Sequence, residues 1–545
     1  MSQNRRDISG MHFIRVRGTA QERARQHAQL LRAEIEEGAL KLLSKKNQWM
    51  IRRGPGLIRL KPVQNSAVWF YDNILLPWLA RRTPAEELAV MDELARETGL
   101  PFRMFRSSLF QADGLMLLSR ISTMKHLLKH LPNGGLPGCT SAVVTGQWTE
   151  GGRTYHARNM DYPVVGPWEA HPVVMFSEPS ESGQIPSVAV TTAGVHTSGL
   201  TAMNREGITV CAHAHFGREV SLSGLPIFAV GERIVREART LGQAVDIARK
   251  HKRSANWALV VSSAKDRDGA VIEMTPERTE VHPTSGGAVI HSNFFHTPEL
   301  QATEALLSGG ICDDLVGRIC RTRQVLEPNK GSVTPSHLAA ALGDHVDYRT
   351  GVERVFGNTV SVVTTIKSVV FSPEEQKFWV AARNETPVSL GEYLEVDVEK
   401  FWDRPESEPV PRLPGNGARL SRELKEGIKH YRSAYQHWHI FNDAPDYAEK
   451  TLVELQKALA AYPADGNVWI QTGLVAFRLK KFEEARRCFE TALEMPLVAE
   501  VERVRDLFLA RCKDLAGDRA GALELYRAHV ACGDPKIRKA FVKGA

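Results

Sequence analysis

The sequence has few cysteines, and their spacing excludes several cysteine-based sites. The 545 residues contain seven: Cys139, Cys211, Cys312, Cys320, Cys488, Cys512 and Cys532. No two of them are separated by two residues, so neither a zinc ribbon nor a thioredoxin-type redox site is indicated. An odd, widely spaced set is also untypical of a secreted disulfide framework, which favours a reducing compartment.

Long hydrophobic runs and strong charge are also missing. No stretch approaches about 18 consecutive apolar residues, so we expect no membrane span, and the N-terminus lacks the apolar run of a signal peptide. The net charge of +7 comes from 70 basic and 63 acidic residues without a dense basic stripe, which argues against nucleic-acid binding. We therefore expect a soluble, cytoplasmic protein of about two to four domains.

The hydrophobic pattern divides the first three quarters of the chain into two regions. Residues 1–138 predict a helical segment, with one helix starting at Thr83-Pro84 and ending at Gly99. The proline- and glycine-rich string Leu131–Gly138 ends it. Residues 139–401 then carry blocks of short β-branched segments and blocks of helical ones, which predicts a layered α+β domain.

The last quarter of the chain has the pattern of helical repeats. Residues 402–417 contain four prolines and predict a linker. Within residues 418–545, five positions fall at the spacing of the tetratricopeptide repeat: Trp469, Gly473, Ala485, Phe489 and Ala492. About three such helical hairpins fit, each covering the apolar face of the next. The alternative is a plain helical bundle packed on the preceding domain.

Cys139 has the most informative surroundings of the seven cysteines. It follows Gly138 in Leu136-Pro-Gly-Cys-Thr-Ser141, and Arg158-Asn-Met-Asp161 comes nineteen residues later. This arrangement resembles the N-terminal nucleophile hydrolases of the acyl-coenzyme A:6-aminopenicillanic acid acyltransferase group, which are related to choloylglycine hydrolase. Four further strings resemble landmarks of that group in the same order, across about residues 10–400: Asn204-Arg-Glu-Gly207, His291-Ser-Asn293, Cys320-Arg321-Thr-Arg323 and Leu342-Gly-Asp-His345.

The resemblance implies an αββα four-layer sandwich over residues 139–401 and autocatalytic cleavage between Gly138 and Cys139. Residues 1–138 would then become a separate chain. Two positions depart from the group, because Arg205 replaces its usual acid and Cys320 stands where serine is common. Neither is the nucleophile, so these departures concern the substrate more than the class of reaction.

The resemblance also implies roles for individual residues. Cys139 would attack an amide carbonyl, with its own α-amine as the general base. Arg158 would favour the thiolate, Asp161 would hold the α-amine, Asn293 would donate to the oxyanion, and Arg321 would support the site. No cofactor is implied, and the substrate would be a small-molecule acyl amide or acyl donor. The chemistry is reasonable, since an N-terminal amine titrates near pH 8, at about working pH.

Two other functions remain open from the residues alone. Cys139 could be an inert thiol in a non-catalytic scaffold that binds a protein partner, or itself, through the C-terminal repeats. His213 and His215 could instead serve a metal-dependent amidohydrolase, because they lie on one face of a predicted strand. A third ligand would come from His291, His296 or Asp161. No helical or acidic partner occurs at the usual metal-ligand spacing.

Overall fold

The computed structural model describes residues 3–40, 61–119, 138–162, 165–304, 309–442, 444–532 and 535–545. The strands are β1 (Arg5–Ile8), β2 (Met11–Gly18), β3 (Gly138–Gly146), β4 (Gly152–Asp161), β5 (Pro172–Pro179), β6 (Ser187–Thr192), β7 (Thr201–Asn204), β8 (Ile208–His215), β9 (Asn256–Ser263), β10 (Asp268–Met274), β11 (Thr279–Pro283), β12 (Ala288–His291), β13 (Thr365–Ser372), β14 (Lys377–Ala381), β15 (Tyr393–Asp397) and β16 (Arg412–Leu413).

The helices of the first 400 residues are α1 (Ala20–Leu30), α2 (Arg32–Glu37), α3 (Lys61–Phe70), α4 (Leu76–Ala80), α5 (Ala85–Thr98), α6 (Phe102–Ser119), α7 (Ile227–Glu237), α8 (Leu241–Lys250), α9 (Pro298–Gln301), α10 (Gly309–Leu326) and α11 (Pro335–Leu342). Those that follow are α12 (Arg422–His439), α13 (Tyr447–Ala461), α14 (Gly466–Arg478), α15 (Phe482–Thr491), α16 (Ala499–Leu515), α17 (Arg519–Ala528) and α18 (Pro535–Gly544). The predicted helix after Pro84 is α5, and Gly99 ends it in the left-handed conformation.

The strands form two large sheets, which confirms the predicted α+β class. The first sheet has the order β1-β2-β5-β6-β7-β8-β9-β10-β11, and the second has the order β12-β3-β4-β13-β14-β15-β16. Neighbours pair antiparallel except β2 and β5, which are parallel. Antiparallel pairing allows each sheet to cover a core with alternate residues of every strand.

The pleat of β3 shows how the layers are stacked. Val143 packs between the two sheets with residues of the first sheet such as Val260, whereas its neighbour Ala142 packs with Leu338 and Leu342 of α11. On the other side, Val210 of the first sheet packs against α7 and α8. The order of layers is therefore helix, sheet, sheet, helix.

The N-terminal residues differ from the helical segment that the sequence predicted. β1 and β2 form a hairpin whose second strand runs parallel to β5 in the first sheet. Phe13 is fully buried between the sheets and stacks on Phe401. The prediction failed here because β2, which holds the hairpin in the sheet, pairs with a strand about 160 residues away, and no local pattern reports such a partner. Residues 131–137 of the predicted breaker string lie outside the described residues.

The proline-rich stretch 402–417 also differs from a free linker. Its residues Arg412 and Leu413 form β16, which pairs with β15 at the edge of the second sheet. Asn416 donates from its side chain to the carbonyl oxygen of Gly343. Prolines suit such an edge position because they need no partner for a backbone N–H. The stretch therefore lies against the sandwich.

Each of the helices α12–α18 contacts the next one along the chain, and the first of them pack on the sandwich. Gly473 lies so close to α15 that a Cβ would meet the Phe489 ring at 2.6 Å, and Ala485 and Phe489 are fully buried. Asp465, just before α14, pairs with the buried Arg354 guanidinium at 3.3 Å. Among the described residues, no helix is long and apolar enough to cross a membrane.

Candidate active site

Cys139 is the second residue of β3, at the end of the strand remote from its hairpin. β3 and β4 form the predicted hairpin, whose turn contains Gly151 and Gly152 at positive φ. The Cys139 side chain is buried, with 7% of the residue exposed. Its Sγ atom lies 3.8 Å from the carbonyl oxygen of Ala212 on β8 of the opposite sheet. The thiol therefore points into the space between the two sheets.

Arg158 lies beside this thiol. It is on β4, opposite Ser141 and one diagonal step from Cys139. Its Nη2 atom donates to Cys139 Sγ at 3.3 Å and to Ala212 O at 2.7 Å, and Nη1 donates to Leu200 O at 2.5 Å. These carbonyl oxygens hold the guanidinium in place, so its charge stays next to the sulfur.

Asn293 contacts the backbone of Cys139. It lies two residues after β12, which pairs with β3. Its Oδ1 atom accepts from Cys139 N at 2.6 Å, and its Nδ2 atom donates to Ala214 O at 2.8 Å. In this arrangement the amide holds the nitrogen of residue 139, and one of its two N–H groups is not used by Ala214.

Asp161 contacts an arginine that the sequence analysis did not select. Its Oδ2 atom accepts from Arg318 Nη1 at 2.8 Å, and its Oδ1 atom accepts from Thr365 Oγ1 at 2.6 Å. Asp161 pairs with Gly138 in the β3–β4 ladder. A Cβ on Gly138 would lie 2.7 Å from Arg318 Nη1, so the ion pair packs directly over this glycine.

Arg321 is not brought to the thiol. Its Nε and Nη2 atoms donate to the two carboxylate oxygens of Asp344 at 2.8 and 2.7 Å. Arg318, one helical turn earlier on α10, reaches the β3–β4 ladder instead. Both residues carry the same functional group, and their sequence spacing does not reveal which one faces the sheet.

The charges around Cys139 have opposing effects on its thiol. Burial raises the pKa of Cys139, the Arg158 guanidinium lowers it, and the Asp161 carboxylate raises it. Burial also raises the pKa of Asp161, and Arg318 opposes this rise. Arg158 is thus the group that favours the thiolate, while burial keeps the resting thiol protonated.

A cluster of histidines lies next to this site. His213 Nε2 is 2.7 Å from Ser141 Oγ, and His215 Nε2 is 3.0 Å from His291 Nε2. Burial lowers the pKa of His213 and of His291 well below the usual value, which keeps both rings neutral. The rings of His213 and His215 both lie against that of His291, but the two residues have different hydrogen-bond partners.

A different trio has potential metal ligands close together. One ligand atom each of Glu273, His291 and His296 lies within 4.8 Å of the others. Glu273 already accepts from His282 and from Thr297. The sequence predicted His291 and His296 only as possible third ligands, because no sequence pattern places Glu273 beside them.

The middle of the chain matches a known family. Residues 148–387, less than half of the chain, match the family model described as acyl-coenzyme A:6-aminopenicillanic acid acyl-transferase. No curated protein matches the chain. The matched segment begins nine residues after Cys139 and includes Arg158, Asp161 and Asn293. The match supports the resemblance to the penicillin acyltransferase group and, with it, an enzyme that transfers acyl groups.

Proposed function

We propose that this chain is a cysteine N-terminal nucleophile hydrolase that cleaves a linear amide bond or transfers its acyl group. The observation that carries the proposal is the contact of 3.3 Å between Cys139 Sγ and the fixed guanidinium of Arg158. A buried thiol needs such a neighbouring cation to become a thiolate. The adjacent Gly138–Cys139 bond supplies the second requirement, because its cleavage creates an α-amine on the same residue.

Maturation begins with attack of Cys139 Sγ on the carbonyl carbon of Gly138. The new C–S bond forms as the C–N bond breaks, and the thiol proton passes to the nitrogen of Cys139, which leaves as a free α-amine. Water then hydrolyses this thioester, which leaves a carboxylate on Gly138 and a thiol on Cys139. Asn293 Oδ1 already accepts from the nitrogen of Cys139 and remains placed to hold the new amine.

Turnover repeats the same chemistry on a substrate amide. The α-amine takes the thiol proton as Sγ attacks the carbonyl carbon, and it later gives that proton to the leaving amine. The product of this half is an acyl-thioester on Cys139. Water completes hydrolysis and an amine completes transfer, so both outcomes use the same residues and need no cofactor.

The oxyanion of the tetrahedral intermediate needs donors near the sulfur. Asn293 Nδ2 has one N–H engaged with Ala214 O, and we assign its other N–H to the oxyanion. One such donor contributes on the order of 3 kcal/mol to the transition state. Asp161, held by Arg318 and Thr365, lies opposite Gly138, on the carbonyl side of the Gly138–Cys139 bond. Arg321 supports the site indirectly, because its hydrogen bonds to Asp344 fix the position of α10.

We extend the proposal to the architecture of the chain. The helix-sheet-sheet-helix layers suit the αββα sandwich of N-terminal nucleophile hydrolases. The burial of Ala485 and Phe489 at a helix crossing suits tetratricopeptide-like hairpins. Such hairpins would contact a protein partner or a second copy of the chain.

Intact mass spectrometry after incubation with a panel of acyl amides tests this function. We expect fragments of about 15 and 45 kDa, in proportion to 138 and 407 of 545 residues and a mass of 60.6 kDa. We also expect an acyl adduct on Cys139, and Cys139→Ala should abolish both. Cys211→Ala is the matched control, since this thiol is also buried in a strand. Amidase activity that survives Cys139→Ala would refute the proposal.

A metal-dependent amidohydrolase is the second candidate, favoured by the trio Glu273, His291 and His296. If the thiol is the nucleophile, dialysis against a chelator should leave the acyl-transfer rate unchanged. Loss of activity with the chelator and recovery with stoichiometric zinc would favour the metal mechanism instead. A chain that is uncut and inactive under every condition would favour the scaffold.

A further inference from the structure

Lys367 is a buried amine that the proposed mechanism does not use. It lies on β13, and only 6% of the residue is exposed. Its Nζ atom donates to Thr192 Oγ1 at 2.6 Å and lies 5.7 Å from the centre of the Trp168 ring. A lysine is rarely buried this completely without a carboxylate partner.

Strand pairing places this amine on the same side of the second sheet as the thiol. Met160 of β4 is directly opposite Cys139 on one side and directly opposite Lys367 on the other. Directly opposite residues share a face, so the three form a row across the sheet. Two such steps place the Cα atoms of Cys139 and Lys367 about 10 Å apart, and the lysine side chain can span much of that distance.

The surroundings of Lys367 offer no anion. Among the described residues, no carboxylate lies within ion-pair distance of its Nζ atom. Burial, together with the smaller effect of the Arg158 cation, lowers the pKa of Lys367 to about 7. The Thr192 hydroxyl gives its own proton to Trp168 O at 3.1 Å. One N–H group of the ammonium form is thus used by Thr192, and the other two have no acceptor among the described residues.

The row is partly exposed at its middle. Met160, between the two polar groups, is half-buried and keeps contact with solvent. Met160 and Tyr162 lie at the edge of the apolar cluster that contains Trp168. A ligand entering here would meet apolar walls, the thiol at one end and the amine at the other.

Resting on the proposed function, we infer that Lys367 forms a carboxylate-binding subsite, so that the preferred substrates are amides that carry a carboxylate. The carboxylate would accept the N–H groups that Thr192 leaves unused. A charged hydrogen bond in a buried site is among the stronger polar contacts, and binding an anion would also compensate the two neighbouring cations, Lys367 and Arg158. The carboxylate can sit on the amine part or on the acyl part of the substrate.

Binding to the full chain with Cys139→Ala tests this inference without any turnover. The probes are N-acyl amino acids and monoamides of dicarboxylic acids, each paired with its uncharged carboxamide of equal size. In one of these two series, we expect each carboxylate to bind at least tenfold more tightly than its carboxamide, a difference of about 1.4 kcal/mol. The series with this preference identifies which part of the substrate carries the charge.

Substitution of the lysine then assigns the preference to its amine. Lys367→Met should reduce the preference to less than twofold and leave the thermal midpoint equal or higher, since it removes an unpaired buried amine. Lys377→Met, on the neighbouring β14 beside Glu395, should keep the preference. Equal binding of both probes, no binding of either, or a preference that survives Lys367→Met would overturn the inference.

The same probes separate this inference from the proposed function. With Cys139 intact, an acyl adduct without any carboxylate preference would overturn the subsite and support the nucleophile. A preference that depends on Lys367 without any adduct would support the subsite and refute the nucleophile.

Discussion

Gly138→Ala should disturb the bond that we propose to be cleaved. The new methyl group would lie 2.7 Å from Arg318 Nη1 and 3.3 Å from Asp161 Oδ2. Ordinary contact begins at about 3.4 Å, so the guanidinium must retreat by about 0.7 Å. Its retreat would open the hydrogen bond of 2.8 Å to Asp161, whose side chain is only 1% exposed.

The cost of this displacement follows from the burial of the pair. Removing one partner of a buried ion pair costs about 3–5 kcal/mol. The alanine moves the partner without removing it, so we expect about half of this loss, or ~2 kcal/mol. The packing of Gly138 against the Arg318–Asp161 pair sets the position of the Gly138 carbonyl relative to the thiol. A loss of ~2 kcal/mol in this packing should therefore slow cleavage by about 30-fold.

Two assays measure the two consequences. A time course of newly synthesised chain on SDS gels reports processing into the fragments of about 15 and 45 kDa expected from the 60.6 kDa chain. Urea unfolding of Gly138→Ala in the Cys139→Ala background reports stability in a chain that cannot process itself. The second assay keeps the prediction testable even if cleavage is slow.

Gly317→Ala is the matched control. Gly317 precedes Arg318 in α10, and an added Cβ there would meet no atom within 4 Å. Alanine in a helix interior is about 1 kcal/mol more favourable than glycine, so this variant should process normally. Wild-type processing and stability in Gly138→Ala would refute the reasoning, as would equal losses in both variants.

Three further predictions concern the electrostatics of the fold and the site. Arg158→Met should raise the pKa of Cys139, because it removes the neighbouring cation. Alkylation of Cys139 by iodoacetamide at pH 8 should then slow at least tenfold, which corresponds to about 1.4 kcal/mol. An unchanged pH profile of alkylation would contradict the role of this cation. Asp465→Ala should destabilise the chain by about 3 kcal/mol, because it removes one of the two carboxylates that pair with the fully buried Arg354 and the acceptor of the Val355 N–H, and leaves only Asp347 beside the guanidinium. A negligible change in denaturant unfolding would contradict this. Burial lowers the pKa of His156 to about 3, so its neutral form stabilises the fold above pH 6.5 and this contribution is lost as the pH falls. Wild type should therefore lose about 2 kcal/mol between pH 8 and pH 5 that His156→Asn does not lose, as compared by urea unfolding at both values.

Local pattern was sufficient for some elements of the fold. Gly99 ends a helix and the glycines near 151 turn a hairpin because left-handed backbone favours glycine whatever the tertiary context. The hairpin in turn brings Arg158 to Cys139, since residues on paired strands meet when the turn position is known. This part of the site was predictable because it depends on one turn.

Other parts depend on partners that are distant in the chain. The place of β2 in the first sheet comes from a parallel contact with β5. Arg318 and Arg321 lie on one helix, and only the packing of α10 on the second sheet decides that Arg318 reaches Asp161. Lys367 has no motif at all, because its position is set by two successive strand registers.

The pleat of β3 separates the two reactions that we propose for one sulfur. Gly138 and Asp161 lie towards α10, where Arg318 packs on them, whereas the thiol of Cys139 and the guanidinium of Arg158 lie towards β8. Successive residues of a strand face opposite sides, so both reactions use the thiol of the inner face, and cleavage depends in addition on the contacts that Gly138 makes on the outer face. Substitutions at Gly138 should therefore affect maturation first, and a chain that has already been cut should keep its rate of acyl transfer.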